Sequence, residues 1–208
     1  MPVPTLERPS LRRRDQQRED TRLDLAVAAF ELAKAHGLEN VRVPQIAAAV
    51  GVSPRTFHNY FTSKEAAIAW PATRRATVLA SRLAERPVGE ALADAVVAAI
   101  AGMYGEREVD GLPAGWLREF RAMVAKEPAL HGEYLKTADS LEVALAGAIA
   151  HRIGAGDADL EPRVLAAVVV GAERAAVLHW ARQTNPSTRL VDVVCNAVRI
   201  AARGLDGL

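Results

Sequence analysis

Between residues 43 and 61 the chain reads Val-Pro-Gln-Ile-Ala-Ala-Ala-Val-Gly-Val-Ser-Pro-Arg-Thr-Phe-His-Asn-Tyr-Phe, and no other stretch limits its possible folds so tightly. Gly51 can take the left-handed conformation that ends a helix. Ser53 can accept from the free N–H groups of a following helix, and Pro54 suits a first turn that needs no donor. Ile46, Ala47 and Val50 form an apolar stripe ahead of this turn, with Ala47 small where the next helix must cross closely. Val52 plugs the corner, and Phe57 and Phe61 point inward behind it. The segment is predicted to form two short helices, about 43–50 and 54–60, joined as a helix-turn-helix.

The same periodicity runs through the rest of the chain. Alanine is abundant, β-branched alternation is rare, and apolar residues recur at three- and four-residue steps, so every long element reads as helix and no strand is convincing. A first helix from Arg14 or Thr21 to about Ala35 turns Leu25, Ala28, Ala29, Leu32 and Ala33 inward and stops at Gly37. A long helix opens near Ser63 or Lys64 and reaches about Glu85; Pro71 within it predicts a kink or an earlier end. Further helices are expected near 89–104, 113–126, 128–153, 159–183 and 187–203. The breaks between them are rich in Gly, Pro, Asn or Asp.

With 208 residues, half of them hydrophobic, the chain can bury one or two helical cores without disulfides or metals. Cys195, the single cysteine, lies in an apolar run and reads as a small buried hydrophobe. Charge-free stretches fall short of the roughly 20 residues of a membrane span, and the first ten residues do not resemble a signal peptide. A cytoplasmic protein without a membrane segment is expected. The five histidines show no metal-ligand spacing, and no Gly-rich phosphate loop or nucleophile motif occurs, so no catalytic residue, metal or cofactor is assigned.

A net charge of +1 argues weakly against nucleic acid, but its distribution matters more. Six arginines, Arg8, Arg12, Arg13, Arg14, Arg18 and Arg22, face three acids between positions 8 and 22. This makes residues 1–20 a basic, flexible arm or simply a solvated tail. In the second helix of the motif, Arg55, Thr56, His58 and Asn59 face outward, which is the donor and acceptor set that major-groove base edges require. Ser53, Tyr60 and Lys64 complete the expected DNA-contacting set, the last two reaching phosphates. The competing reading is a helical protein–protein interaction module without DNA binding.

The segment from Leu23 to Ile68 resembles the TetR/AcrR family of repressors. The resemblance rests on Ala-Ala-Phe-Glu-Leu-Ala-Lys-Ala-His-Gly-Leu, Ile46-Ala47, Gly51-Val52-Ser53, Asn59-Tyr60-Phe61 and Ser63-Lys64-Glu65. Beyond about Pro71 the residues carry no family signature. Two departures stand out. Arg42, followed by Val43 and Pro44, replaces the usual threonine cap of the motif's first helix, which removes the cap and leaves Arg42 for a phosphate. Thr56-Phe57-His58-Asn59-Tyr60-Phe61 departs from the usual central tyrosine. That wording resembles a subgroup that includes the mycofactocin-associated, acyl-CoA-responsive regulator.

The resemblance implies an all-α protein of about nine helices. A helix-turn-helix DNA-binding domain over 21–66 would precede a ligand-binding and dimerisation domain over 67–208. It further implies a homodimer through the last two helices, reading a palindromic operator released by a hydrophobic or acyl-CoA-like ligand. Trp70, Met103, Tyr104, Trp116, Phe120, Met123, Tyr134, Arg174 and His179 are the candidate pocket residues. Val169, Val177, Trp180, Val191, Val194 and Val198 are the candidate dimer residues. Glu173 and Arg174 could orient a ligand, bridge the dimer or form a solvated pair.

Overall fold

A computed structural model describes residues 9–105, 111–113, 115–156, 158–183 and 188–204, and among these every regular element is helical. In chain order they are α1 (Pro9–His36), a short 3-10 turn (Leu38–Asn40), α2 (Val43–Val50), α3 (Pro54–His58) and α4 (Lys64–Ala84). Then follow α5 (Leu92–Gly105), α6 (Trp116–Lys126), α7 (Pro128–Ile153), α8 (Leu160–Arg182) and α9 (Leu190–Arg203). The chain divides into two compact units, residues 1–71 and 72–208.

In the first unit α1 packs on the 3-10 turn and on α2, and α2 packs on α3. Leu25, Ala29 and Phe30 of α1, Ile46 and Ala47 of α2, and Phe57 of α3 are completely buried. The expected inward stripe of α1 thus holds at Leu25, Ala29 and Ala33. The helix itself begins earlier than either expected start, at Pro9, so residues 9–20 continue α1. Residues 1–8, including Arg8, lie outside the described residues.

In the second unit, core residues from α4, α5, α7, α8 and α9 form one cluster that includes Leu79, Ile100, Leu145, Ile149, Val170, Val177 and Val198. Cys195 is buried there, and burial raises its thiol pKa, consistent with an inert small hydrophobe. The break after α4 is tied down by Arg152 of α7, whose guanidinium donates to the carbonyls of Arg86 (3.2 Å), Pro87 (2.6 Å) and Glu90. The expected interruption at Pro71 does not end the helix: α4 runs through it, and the boundary between the units falls immediately after it.

α8 is long and apolar enough to cross a membrane, with a mean hydropathy of 1.5, although Glu173 and Arg174 interrupt its charge-free run. It packs instead against α7 and α9 through Ala166, Val169, Val170 and Val177.

Candidate functional site

In the first unit the turn between α2 and α3 is built as its residues dictate. Gly51 has φ 75° and ψ 25°, a left-handed conformation that L side chains rarely adopt, and Val52 N–H donates to the Ala47 carbonyl at 2.9 Å. Ser53 Oγ caps α3, accepting from Thr56 N–H at 3.0 Å, and is hydrogen-bonded to Thr56 Oγ1 at 2.8 Å.

The inward side of α3 is aromatic. The Phe57 ring lies 5.8 Å from Phe61, which meets Trp70 at 6.2 Å. The guanidinium of Arg22 stands over Phe61 and Trp70, 5.4 and 5.1 Å from the ring centres. This clamp from α1 was missed in the sequence, where Arg22 reads as one more arginine of a basic arm. On α3 and just after it, Arg55, His58 and Asn59 are exposed, and Thr56 and Tyr60 are half-buried.

Several expected contacts take other roles. Lys64 does not reach outward: its ammonium donates to the carbonyls of Leu38 and Val41, the latter at 2.9 Å, and lies 4.0 Å from Glu65. The Leu38 carbonyl also accepts from Val41 N–H at 3.3 Å within the 3-10 turn, so the lysine adds a second donor there and pins the end of the turn. Arg42 donates to the Glu39 carbonyl and, at 3.3 Å, to that of Val41. As expected, no side-chain cap bond is made at Arg42; Gln45 Oε1 instead accepts from the Arg42 N–H at 2.7 Å, the reciprocal half of a capping box. Trp70 belongs to the core of the first unit, its ring packed on Phe61 and Arg22, and is not among the lining residues of the second unit's cavity.

The second unit holds a cavity of about 620 Å³, its open mouth included. Of the nine expected pocket residues, Met103, Tyr104, Trp116, Phe120 and Tyr134 line it. Met123 and Arg174 do not, and His179 is exposed and pairs with Gln183 Nε2 at 3.0 Å. Trp116 and Phe120 stack at 4.8 Å, and Tyr134 meets Phe120 edge-on at 6.2 Å. The polar part of the wall escaped the sequence reading: Arg75, Arg121, Thr137 and Glu173 all line it. Tyr104 donates its hydroxyl proton to Glu173 Oε1. Burial, then the Glu173 charge, pushes the Tyr104 hydroxyl well above the ordinary tyrosine range, and burial also raises Tyr134.

The expected dimer residues need correction. Val169, Val177, Val194 and Val198 are buried in the subunit's own core, and Val191 packs against it. Trp180 is half-buried, with Arg118 4.4 Å over its ring and its indole N–H bonded to the Thr188 carbonyl at 3.2 Å. The apolar residues that α8 exposes are others: Leu160, Val164, Val168 and Leu178. An apolar girth shows that a helix has two greasy faces, and spacing alone does not say which one the subunit buries.

Residues 25–68 match the family described as bacterial regulatory proteins, tetR family, and residues 86–206 match the MftR C-terminal domain, more than half of the chain. The HTH-type transcriptional regulator TcmR of Streptomyces glaucescens is 35% identical over 176 residues, covering 83% of this chain and 77% of that protein. The mycofactocin biosynthesis transcriptional regulator MftR of Mycobacterium tuberculosis is 27% identical, covering 93% and 95%. Among solved structures, a regulator from Pseudomonas aeruginosa PAO1 is similar with a TM-score of 0.58 at 20% identity, covering 91% of each chain. Thermus thermophilus FadR in complex with lauroyl-CoA is similar with a TM-score of 0.54 at 20% identity, covering 88% and 94%. These two structures share the fold.

Proposed function

The chain belongs to the TetR family of bacterial transcriptional regulators, and from that premise we propose that it is a repressor that holds a palindromic operator as a homodimer and releases it when a small ligand fills the second-unit cavity. The observation that carries the DNA half is α3. Its inward Phe57 is completely buried while Arg55, His58 and Asn59 stay exposed. Arg reads guanine and Asn reads adenine through paired hydrogen bonds, so this face suits a major groove better than a protein surface. Arg42 and Tyr60 lie beside it, and the proposed reading set is Arg55, Thr56, His58 and Asn59, with Ser53 and Lys64 holding the scaffold.

The dimer is proposed through α8. Val164, Val168, Gly171, Ala175 and Leu178 follow one another at steps of four, three, four and three residues, and Val164, Val168 and Leu178 remain exposed. Such a stripe on a long helix suits a left-handed pairing with a second copy, and Ile200 of α9 adds to the exposed apolar surface. The ligand half is supported by the cavity's aromatic lining with a few convergent polar groups, and by the lauroyl-CoA bound to FadR. α4 supplies Ala72, Arg75 and Leu79 to that cavity and carries Lys64 in the first unit.

Selection of genomic fragments by the purified protein tests this reading. A palindromic site is expected to enrich, with half-sites separated by about one helical turn of roughly 34–36 Å or a multiple of it, and light scattering is expected to give twice the chain mass. Failure of any fragment to enrich contradicts the regulator reading.

A further inference from the structure

The cavity wall carries more positive charge than it balances. Arg121 is only 5% exposed, and its Nε is buried without an acceptor, as is one terminal nitrogen of Arg75. Each guanidinium lies on a tyrosine ring at 4.3 Å, Arg75 on Tyr104 and Arg121 on Tyr134. Stacking holds the plane of a guanidinium but leaves its N–H groups wanting acceptors. Glu173, the one carboxylate among the described lining residues, takes the Tyr104 hydroxyl. Two arginines against one glutamate leave one positive charge in excess, and a buried guanidinium N–H left without an acceptor is costly unless a ligand supplies one.

The remaining wall sets the shape of that anion. The whole chain has three Trp, three Tyr and four Phe, and four of these aromatic residues, Tyr104, Trp116, Phe120 and Tyr134, line this one cavity. Flat rings pack on flat rings in offset or edge-on arrangements, as Trp116, Phe120 and Tyr134 already do with one another. A planar carboxylate in turn matches the fork of an immobilised guanidinium.

Resting on the ligand-controlled reading above, we propose that the effector is a compact aromatic acid, its ring system held among Trp116, Phe120 and Tyr134 and its single carboxylate held by Arg121 and Arg75. The one-charge excess suits one carboxylate better than the several phosphate charges of an acyl-CoA.

Titration of the full-length protein with 1-naphthoate and with its neutral isostere 1-naphthamide, followed by calorimetry and tryptophan fluorescence, tests this. The acid is expected to bind at least about ten-fold more tightly than the amide, the scale of a buried charge-assisted hydrogen bond. Arg121→Gln and Arg75→Gln should each bring the acid down toward the amide. Equal binding of acid and amide by the unaltered protein overturns the proposal, as does an undiminished preference in both variants or binding of lauroyl-CoA alone. If Arg121→Gln fails to fold by circular dichroism, Arg75→Gln and the unaltered protein's preference still decide. No DNA is needed for these titrations, so the two readings fail separately. Absent preference beside intact operator binding overturns the aromatic-acid effector alone, whereas clear preference in a protein that enriches no fragment overturns the regulator and leaves the cavity chemistry standing.

Discussion

Arg22 in the first unit and Arg121 in the second are both guanidiniums laid against aromatic rings, 5.1 Å from Trp70 and 4.3 Å from Tyr134, yet they serve different ends. Arg22 reaches partly into solvent, lies 3.9 Å from Glu19, and stands over rings that fill a core. Arg121 is enclosed and faces empty space. The same contact therefore closes one unit and equips the other. In the first unit function lies on what the fold leaves outside, and in the second on what it leaves unfilled.

The sharpest way to break this contrast is to empty the first unit's core. Phe57→Ala removes a completely buried ring and should destabilise that unit by about 3–5 kcal/mol. Chemical denaturation followed domain by domain, with hydrogen exchange, should show α1 to α3 opening while α7 to α9 keep their protection. Equal loss in both would show that the units do not hold independent cores.

Lys64→Met is the next largest. It removes the two hydrogen bonds that the ammonium gives the carbonyls of Leu38 and Val41 and should weaken folding by about 1–3 kcal/mol, with the salt dependence of DNA binding unchanged. A phosphate contact would instead lower that slope by about 0.9 per lost contact.

A smaller effect belongs to the second unit. Its Tyr104 and Tyr134 hydroxyls hold their protons above the ordinary tyrosine value of 10.0, chiefly through burial. The native state binds those protons more tightly than the unfolded chain does, so their contribution is complete below pH 10 and declines as pH rises through the raised values. A thermal melt series across that range, read beside tyrosinate absorbance, should show the decline; stability constant above pH 10 would contradict the burial of these hydroxyls.

The first unit was the more legible in the sequence because its determinants are local. Gly51, Ser53 and Pro54 specify a turn among their immediate neighbours, and the structure places them so. Lys64 misled because its partners lie 23 and 26 residues away, a distance over which spacing carries no signal. The long helices were read to within a few residues, as at α7 and α8, because each is bounded by proline, glycine or aspartate. Which of their faces is buried was not legible: α8 is apolar around most of its girth, and only packing against α7 and α9 turns Val169 and Val177 into the subunit's own core. The aromatic half of the cavity was found because large side chains are scarce here, whereas Arg75 and Arg121 were passed over because arginine in a helix usually marks solvent.

The central claim is that the exposed face of α3 reads DNA while contributing little to the fold. Anisotropy titration of an enriched genomic fragment with the unaltered protein, Arg55→Ala and Asn59→Ala tests it most directly. Each substitution should cost about 1–3 kcal/mol of operator affinity and leave helicity, melting temperature and dimer mass unchanged. Unaltered affinity in both variants would contradict the assignment of this face as the reading surface.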